Sequence, residues 1–107
     1  SYSVTGVQTC ALPILIGACK VRLRILGARS LKEKRKVLKS MKDRLLRMNL
    51  SVSEVDDNDK WQAATLGLAL VSNDAAFLNS VMDRILREMQ ENDEVEILAV
   101  QTEMVHI

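Results

Sequence analysis

Few side chains in this 107-residue chain could do covalent or metal chemistry, and their positions exclude most catalytic classes. The single histidine, His106, is the penultimate residue, and the cysteines are Cys10 and Cys19 alone. Such a set predicts neither a Ser/His or Cys/His pair nor a His-based metal site, and two cysteines make no disulfide scaffold. The run Asp56-Asp57-Asn58-Asp59 offers carboxylate oxygens to a hard cation but lacks the glycine and the distant glutamate of a calcium loop. It reads instead as a turn that pairs with Arg29, Lys32 or Lys34, with Trp61 beside it as a packed rim residue. No metal, cofactor or small-molecule substrate is expected, and the chain reads as a non-enzyme.

Charge is the stronger signal. Residues 15–50 hold twelve Lys or Arg against Glu33 and Asp43, whereas residues 51–107 hold Lys60, Arg84 and Arg87 against twelve acids. A net charge of +1 conceals this split, which suggests a polyanion-facing surface or self-complementary halves. Along residues 31–48, Leu31, Val37, Leu38, Met41, Leu45 and Met48 share one face of an amphipathic helix. Lys32, Arg35, Lys36, Lys39, Lys42 and Arg47 occupy about 140° of the opposite face, with only Asp43 among them. With Arg29 just ahead of the helix, they are the candidate phosphate-binding residues. Lys20, Arg22 and Arg24 add a basic strand face that could lie on the other side of the sheet. Lys34 falls inside the apolar arc, where it can snorkel or pair with an acid from a neighbouring loop.

The elements that position these groups follow from periodicity. Residues 15–25 alternate, with Leu15, Gly17, Cys19, Val21, Leu23 and Ile25 on one side. Gly27 ends that strand, and Ser30-Leu31-Lys32-Glu33 fits a capping box in which the Glu33 carboxylate returns to the Ser30 N–H. Residues 50–55 form a short strand, the acidic turn closes a hairpin, and 63–71 form an almost wholly apolar central strand. Asn73 or Asp74 caps a second helix with Phe77, Leu78, Val81, Met82, Ile85, Leu86 and Met89 on its core face. Residues 95–105 are the last strand. The order β-α-β-β-α-β predicts an α+β, ferredoxin-like sandwich: two helices on one face of a four-stranded antiparallel sheet, with 15–25 and 63–71 as central strands. On 63–71 one apolar set must point away from the helices. Leu66, Leu68 and Leu70 are the expected interface for a homodimer or a protein partner.

Residues 4–14, VTGVQTCALPI, correspond codon for codon to a translated sequencing adapter. Residues 1–14 are therefore expected to be non-native, with a single domain over 15–107. No run of eighteen apolar residues exists, so no membrane-spanning segment is expected.

The runs CKVRLRILGARSLKEKRKVLKSMKDRL, VSEVDDNDKWQAATLGLALVSND and VEILAVQTEM resemble the YlxP family of small bacterial proteins over residues 15–105. The resemblance implies the same ferredoxin-like fold and a bacterial cytoplasmic setting. It also implies an accessory role near the ribosome, whose RNA or subunits become the expected partner. The competing expectation is a protein-interaction module on the open sheet face. A third is an acylphosphatase-like anion site at Gly27-Ala28-Arg29-Ser30, against which stand a missing glycine-rich loop and no placed Asn to orient water.

Overall fold

The computed structural model describes residues 14–56 and 60–107. Its elements are β1 (Leu15–Ile25), α1 (Leu31–Leu46), β2 (Ser51–Asp56), β3 (Ala63–Ser72), α2 (Ala75–Gln90) and β4 (Val95–His106). The sheet order is β2-β3-β1-β4, antiparallel throughout, which is the ferredoxin-like arrangement with β1 and β3 at the centre.

Local chemistry accounts for each boundary. Gly27 turns the chain after β1 with φ +77°, a left-handed conformation that a residue without Cβ adopts at no steric cost. Ser30, extended at φ −162°, caps α1 by accepting from the Glu33 N–H at 3.2 Å. The return contact differs from the expected box, because Glu33 Oε1 accepts from the Arg29 N–H at 3.1 Å, one residue before the cap. α1 stops at Leu46, two residues earlier than expected, and Asn49 adopts a left-handed φ of 63° before β2. Asp74 caps α2, its carboxylate accepting from the Ala76 and Phe77 N–H groups.

The core is one cluster between the sheet and the helices, built on Val21, Leu23, Leu66, Leu78 and Ile85, all fully buried. Leu66, Leu68 and Leu70 belong to it at 0%, 3% and 5% exposure, which overturns their assignment to the open face. The register explains the correction. Leu66, Leu68 and Leu70 pair with Val21, Cys19 and Gly17, the helix-facing set of β1, so Gly67, Ala69 and Val71 point away. The large side chains went to the thick side of the sandwich, and the small ones to the uncovered side. Phe77 is a second correction. It is 52% exposed because it lies 100° around α2 from Leu78, outside the buried stripe of Leu78, Val81, Met82, Ile85 and Met89. Gly17 makes room for the Met82 side chain of α2, since a Cβ there would lie 2.9 Å from Met82 Cε.

Three connections meet at one end of the sheet. Ile25 N–H donates to the Gln62 carbonyl, Leu26 N–H to the Glu94 carbonyl, and Gln62 Nε2 to the Ala28 carbonyl. Asp57, Asn58 and Asp59 of the expected acidic turn lie outside the described residues, as do residues 1–13 of the segment expected to be non-native. Ile14, the last residue of that segment, exchanges backbone hydrogen bonds with Ile107. Among the described residues no helix is long and apolar enough to cross a membrane, and no group of three or more His, Cys, Asp or Glu is placed to hold a metal ion.

Candidate nucleic-acid interface

α1 packs its apolar stripe over the β2 side of the sheet and turns its charges to solvent. Leu38, Met41 and Leu45 are buried, while Lys32, Arg35, Lys36, Lys39 and Arg47 are exposed and Lys42 is half-buried. Arg29, in the connection before the helix, is exposed at the same end. The fold thus brings all seven expected binding residues to one helix, its C-cap Arg47 and its N-terminal connection. Arg44 adds a further exposed cation on the flank of the face. Among the described residues none of these eight cations forms an ion pair. The two acids on α1 do not neutralise the face, since Glu33 is held at the helix start by the Arg29 N–H and Asp43 stands alone.

One cation of α1 behaves differently. Lys34 is 1% exposed and its Nζ lies 2.9 Å from Glu54 Oε2 on β2, so a strand acid pairs with it; Asp57 and Asp59 of the expected loop lie outside the described residues. The Glu54 oxygen is itself sealed from solvent and is held as an ion pair without a well-angled hydrogen bond. This pair anchors the first turn of the basic helix to the sheet and so fixes which way the stripe faces.

The open sheet face is a second, separate surface. Lys20, Arg22 and Arg24 alternate with core-facing residues of β1 and point away from the helices, so strand and helix cations occupy opposite sides of the molecule. Arg24 pairs with Glu96 across the strands at 3.1 Å. Between Val55 on β2 and Gln101 on β4 the small residues Ala18, Ser53, Gly67 and Ala69 leave a shallow concavity of about 740 Å³. A neighbouring hollow of about 550 Å³ is bordered by Arg22, Asp56, Lys60 and Thr65. The signal of this concavity in the sequence is the run of small residues on the same parity as Lys20. Aromatic stacking groups are absent from it among the described residues. Trp61, two residues before the start of β3, is 54% exposed and is not packed as a rim residue.

Cys19 points into the core, where burial raises its thiol pKa and keeps it protonated, the opposite of a nucleophile's environment. The start of α1 is equally unsuited to an acylphosphatase-like site. The Arg29 N–H that would meet an anion is already bonded to Glu33, and Ser30 Oγ to the Glu33 N–H.

Comparison with known proteins agrees with this architecture. The family described as "Protein of unknown function (DUF503)" matches residues 16–102. The chain is 34% identical over 90 residues to the uncharacterized protein YlxP of Bacillus subtilis (strain 168), a match spanning 83% of this chain and 98% of YlxP. Among solved structures, the de novo designed protein Foldit4 superposes with a TM-score of 0.51 at 14% identity, over 86% of this chain and 96% of that one. That likeness is one of fold alone. The structural genomics protein YJCS, at a TM-score of 0.47 and 10% identity, covers 82% of this chain and 96% of its own. From residue 16 to residue 102 the match takes in both helices, β2 and β3 whole and most of β1 and β4, and the chain belongs to the DUF503 family of proteins of unknown function.

Proposed function

We propose that this protein is a non-enzymatic RNA-binding protein that docks on the phosphates of structured or ribosomal RNA through the exposed face of α1, in the bacterial cytoplasm. The observation that supports this most is the set of exposed, unpaired cations on one rigid helix, Arg29, Lys32, Arg35, Lys36 and Lys39 foremost. A solvated helix face normally interleaves signs to form i,i+4 pairs. Here positive charges follow one another at i, i+3, i+4 and i+7 from Lys32 to Lys39, a repulsion that a polyanion relieves. The absence of aromatic platforms on the open sheet face among the described residues argues for backbone contact in place of base reading.

Counterion release sets the expected size of the effect. Five phosphate contacts per chain at a slope of about −0.7 each give a log–log salt slope of about −3.5, or roughly a hundredfold loss of affinity between about 50 and 200 mM salt. The test is sedimentation of the protein with ribosomal subunits on sucrose gradients at low and high salt. Co-migration that is lost at high salt, and lost at low salt in a Lys36→Glu/Lys39→Glu variant, is the expected result. Association left intact by that charge reversal would sink the RNA reading.

A further inference from the structure

The two edges of the sheet are not alike. β2 is six residues long, carries Glu54 and Asp56 and is interrupted by a bulge between them, all features that discourage a further strand from adding. β4 runs for twelve residues, Val95–His106, without a proline or a lysine, and residues 97–102, ILAVQT, carry no charge. Its inner edge pairs with β1 along its length, and among the described residues no strand lies on its outer edge. Leu98, Val100 and Val105 are 41–45% exposed there. A long, neutral edge of this kind presents a row of backbone donors and acceptors that only another extended strand can satisfy.

We propose that the occupant is a second copy of this chain, β4 pairing antiparallel with β4 across a two-fold axis at Gln101 to make a continuous eight-stranded sheet.

Symmetry and charge select this register. A two-fold axis in an antiparallel pair must pass through a residue opposite itself, because any other choice would exchange hydrogen-bonded with non-hydrogen-bonded pairs. The axes that keep the strand paired over most of its length lie at Val100 or Gln101. Arg22 faces Ala99 while Leu23 faces Ile97, so Leu98 is the extra residue of a bulge, and Glu96 and Glu103 share the open face with Arg24 and Ala18. Keeping faces matched across the bulge, an axis at Val100 sets each Glu96 against a Glu103 of the other copy. An axis at Gln101 sets Glu103 against Ala99 and Glu96 against Val105, with no like charges opposed. Glu96 is in addition tied to Arg24 within its own chain at 3.1 Å.

The axis stands perpendicular to the sheet, so both helix layers lie on the same side of the dimer. α1 packs over β2, the outer strand, and the two basic helices end up roughly 30 Å apart, six to seven strand spacings of about 4.8 Å, on one side of the sheet and turned relative to each other by its twist. Resting on the RNA reading above, the dimer doubles the phosphate contacts available to one RNA and doubles the salt slope.

The test uses the full chain in analytical ultracentrifugation, with Cys10→Ser where cysteines are introduced. The wild type is expected at about 24 kDa, twice 12.0 kDa. Gln101→Lys, which places two ammonium groups about 5 Å apart on the axis, is expected at the monomer mass with an unchanged far-UV spectrum. Gln101→Cys is expected to cross-link to a dimer on mild oxidation, and Ala99→Cys, which faces Glu103, is not. A wild type that stays at monomer mass across the concentration range, a dimer that survives Gln101→Lys, or equal cross-linking at both positions would overturn the proposal. None of these readouts involves RNA, so failure here is distinct from failure of the RNA reading.

Discussion

Replacing Lys34 by methionine tests how the basic helix is anchored. Methionine keeps most of the side-chain volume and deletes the ammonium group, so packing is changed little while Glu54 loses its partner. The Glu54 oxygen facing Lys34 is sealed from solvent, and the whole Glu54 side chain is 18% exposed. Breaking a buried ion pair by removing one member costs about 3–5 kcal/mol, because the remaining charge is left desolvated. Partial exposure lets water recover some of that, which places the expected loss near the lower end, at about 3 kcal/mol. For a domain of this size each kcal/mol shifts Tm by roughly 4–8 °C, so the variant should melt roughly 12–24 °C lower. The double variant Lys34→Met/Glu54→Leu removes both charges and should recover most of the loss, since an apolar pair of similar volume is about as stable as a buried ion pair. Urea titration of wild type, both single variants and the double variant gives the coupling energy directly. A Lys34→Met variant within about 0.5 kcal/mol of wild type, the range of an ordinary surface substitution, would refute the anchoring argument.

Further outcomes follow from the packing. Leu68→Ala should destabilise by about 2–5 kcal/mol because it opens a cavity under the helices, whereas Val71→Ala, at a site 65% exposed, should stay within about 0.5 kcal/mol; equal effects in thermal melts would contradict the assignment of sheet faces. Gly17→Val should cost about 1–3 kcal/mol by crowding the Met82, Leu70 and Leu78 side chains, and denaturant titration showing no loss would mean that the Met82 side chain moves aside freely. Burial raises the Cys19 pKa in the folded protein, so the unfolded chain ionises first as pH rises. Stability should decline above about pH 8.5 more steeply in wild type than in Cys19→Ala, as chemical melts across that range would show.

Much of this fold was legible because each signal was local and repeated. The parity of β1, the Ser30 cap and the 3.6-residue stripe of α1 each admit one reading, the second cap was narrowed to Asn73 or Asp74, and the structure follows them within a residue or two. The basic face was legible for the same reason, since a helix that buries Leu38, Met41 and Leu45 must expose Lys32, Arg35, Lys36 and Lys39. What failed was everything that depends on which of two apolar sets meets the helices. Leu66, Leu68 and Leu70 alternate with Gly67, Ala69 and Val71, and both sets are apolar, so periodicity alone cannot orient β3. Pairing of Leu66 with Val21 and of Leu68 with Cys19 decides it, and that register is non-local. Lys34 with Glu54 is similar: twenty residues separate the partners, and β2 had to be placed beneath α1 before the pair could be seen. Phe77 was misread because it sits at the margin of the apolar arc, one turn before Val81, where periodicity does not separate a buried position from an exposed one.

The central claim is that α1 binds RNA phosphates electrostatically, and the most direct measurement is the salt dependence of RNA affinity for wild type and for Lys36→Glu/Lys39→Glu. Fluorescence anisotropy with a labelled ribosomal RNA fragment, from about 50 to 200 mM salt, gives log Kd against log salt concentration for each. The account predicts a wild-type slope of at least about 3.5 in magnitude, reduced in the variant by about 1.4 for each chain engaged, with weaker binding at every salt concentration. Superimposable lines for the two proteins, or a wild-type affinity that does not change with salt, would contradict it.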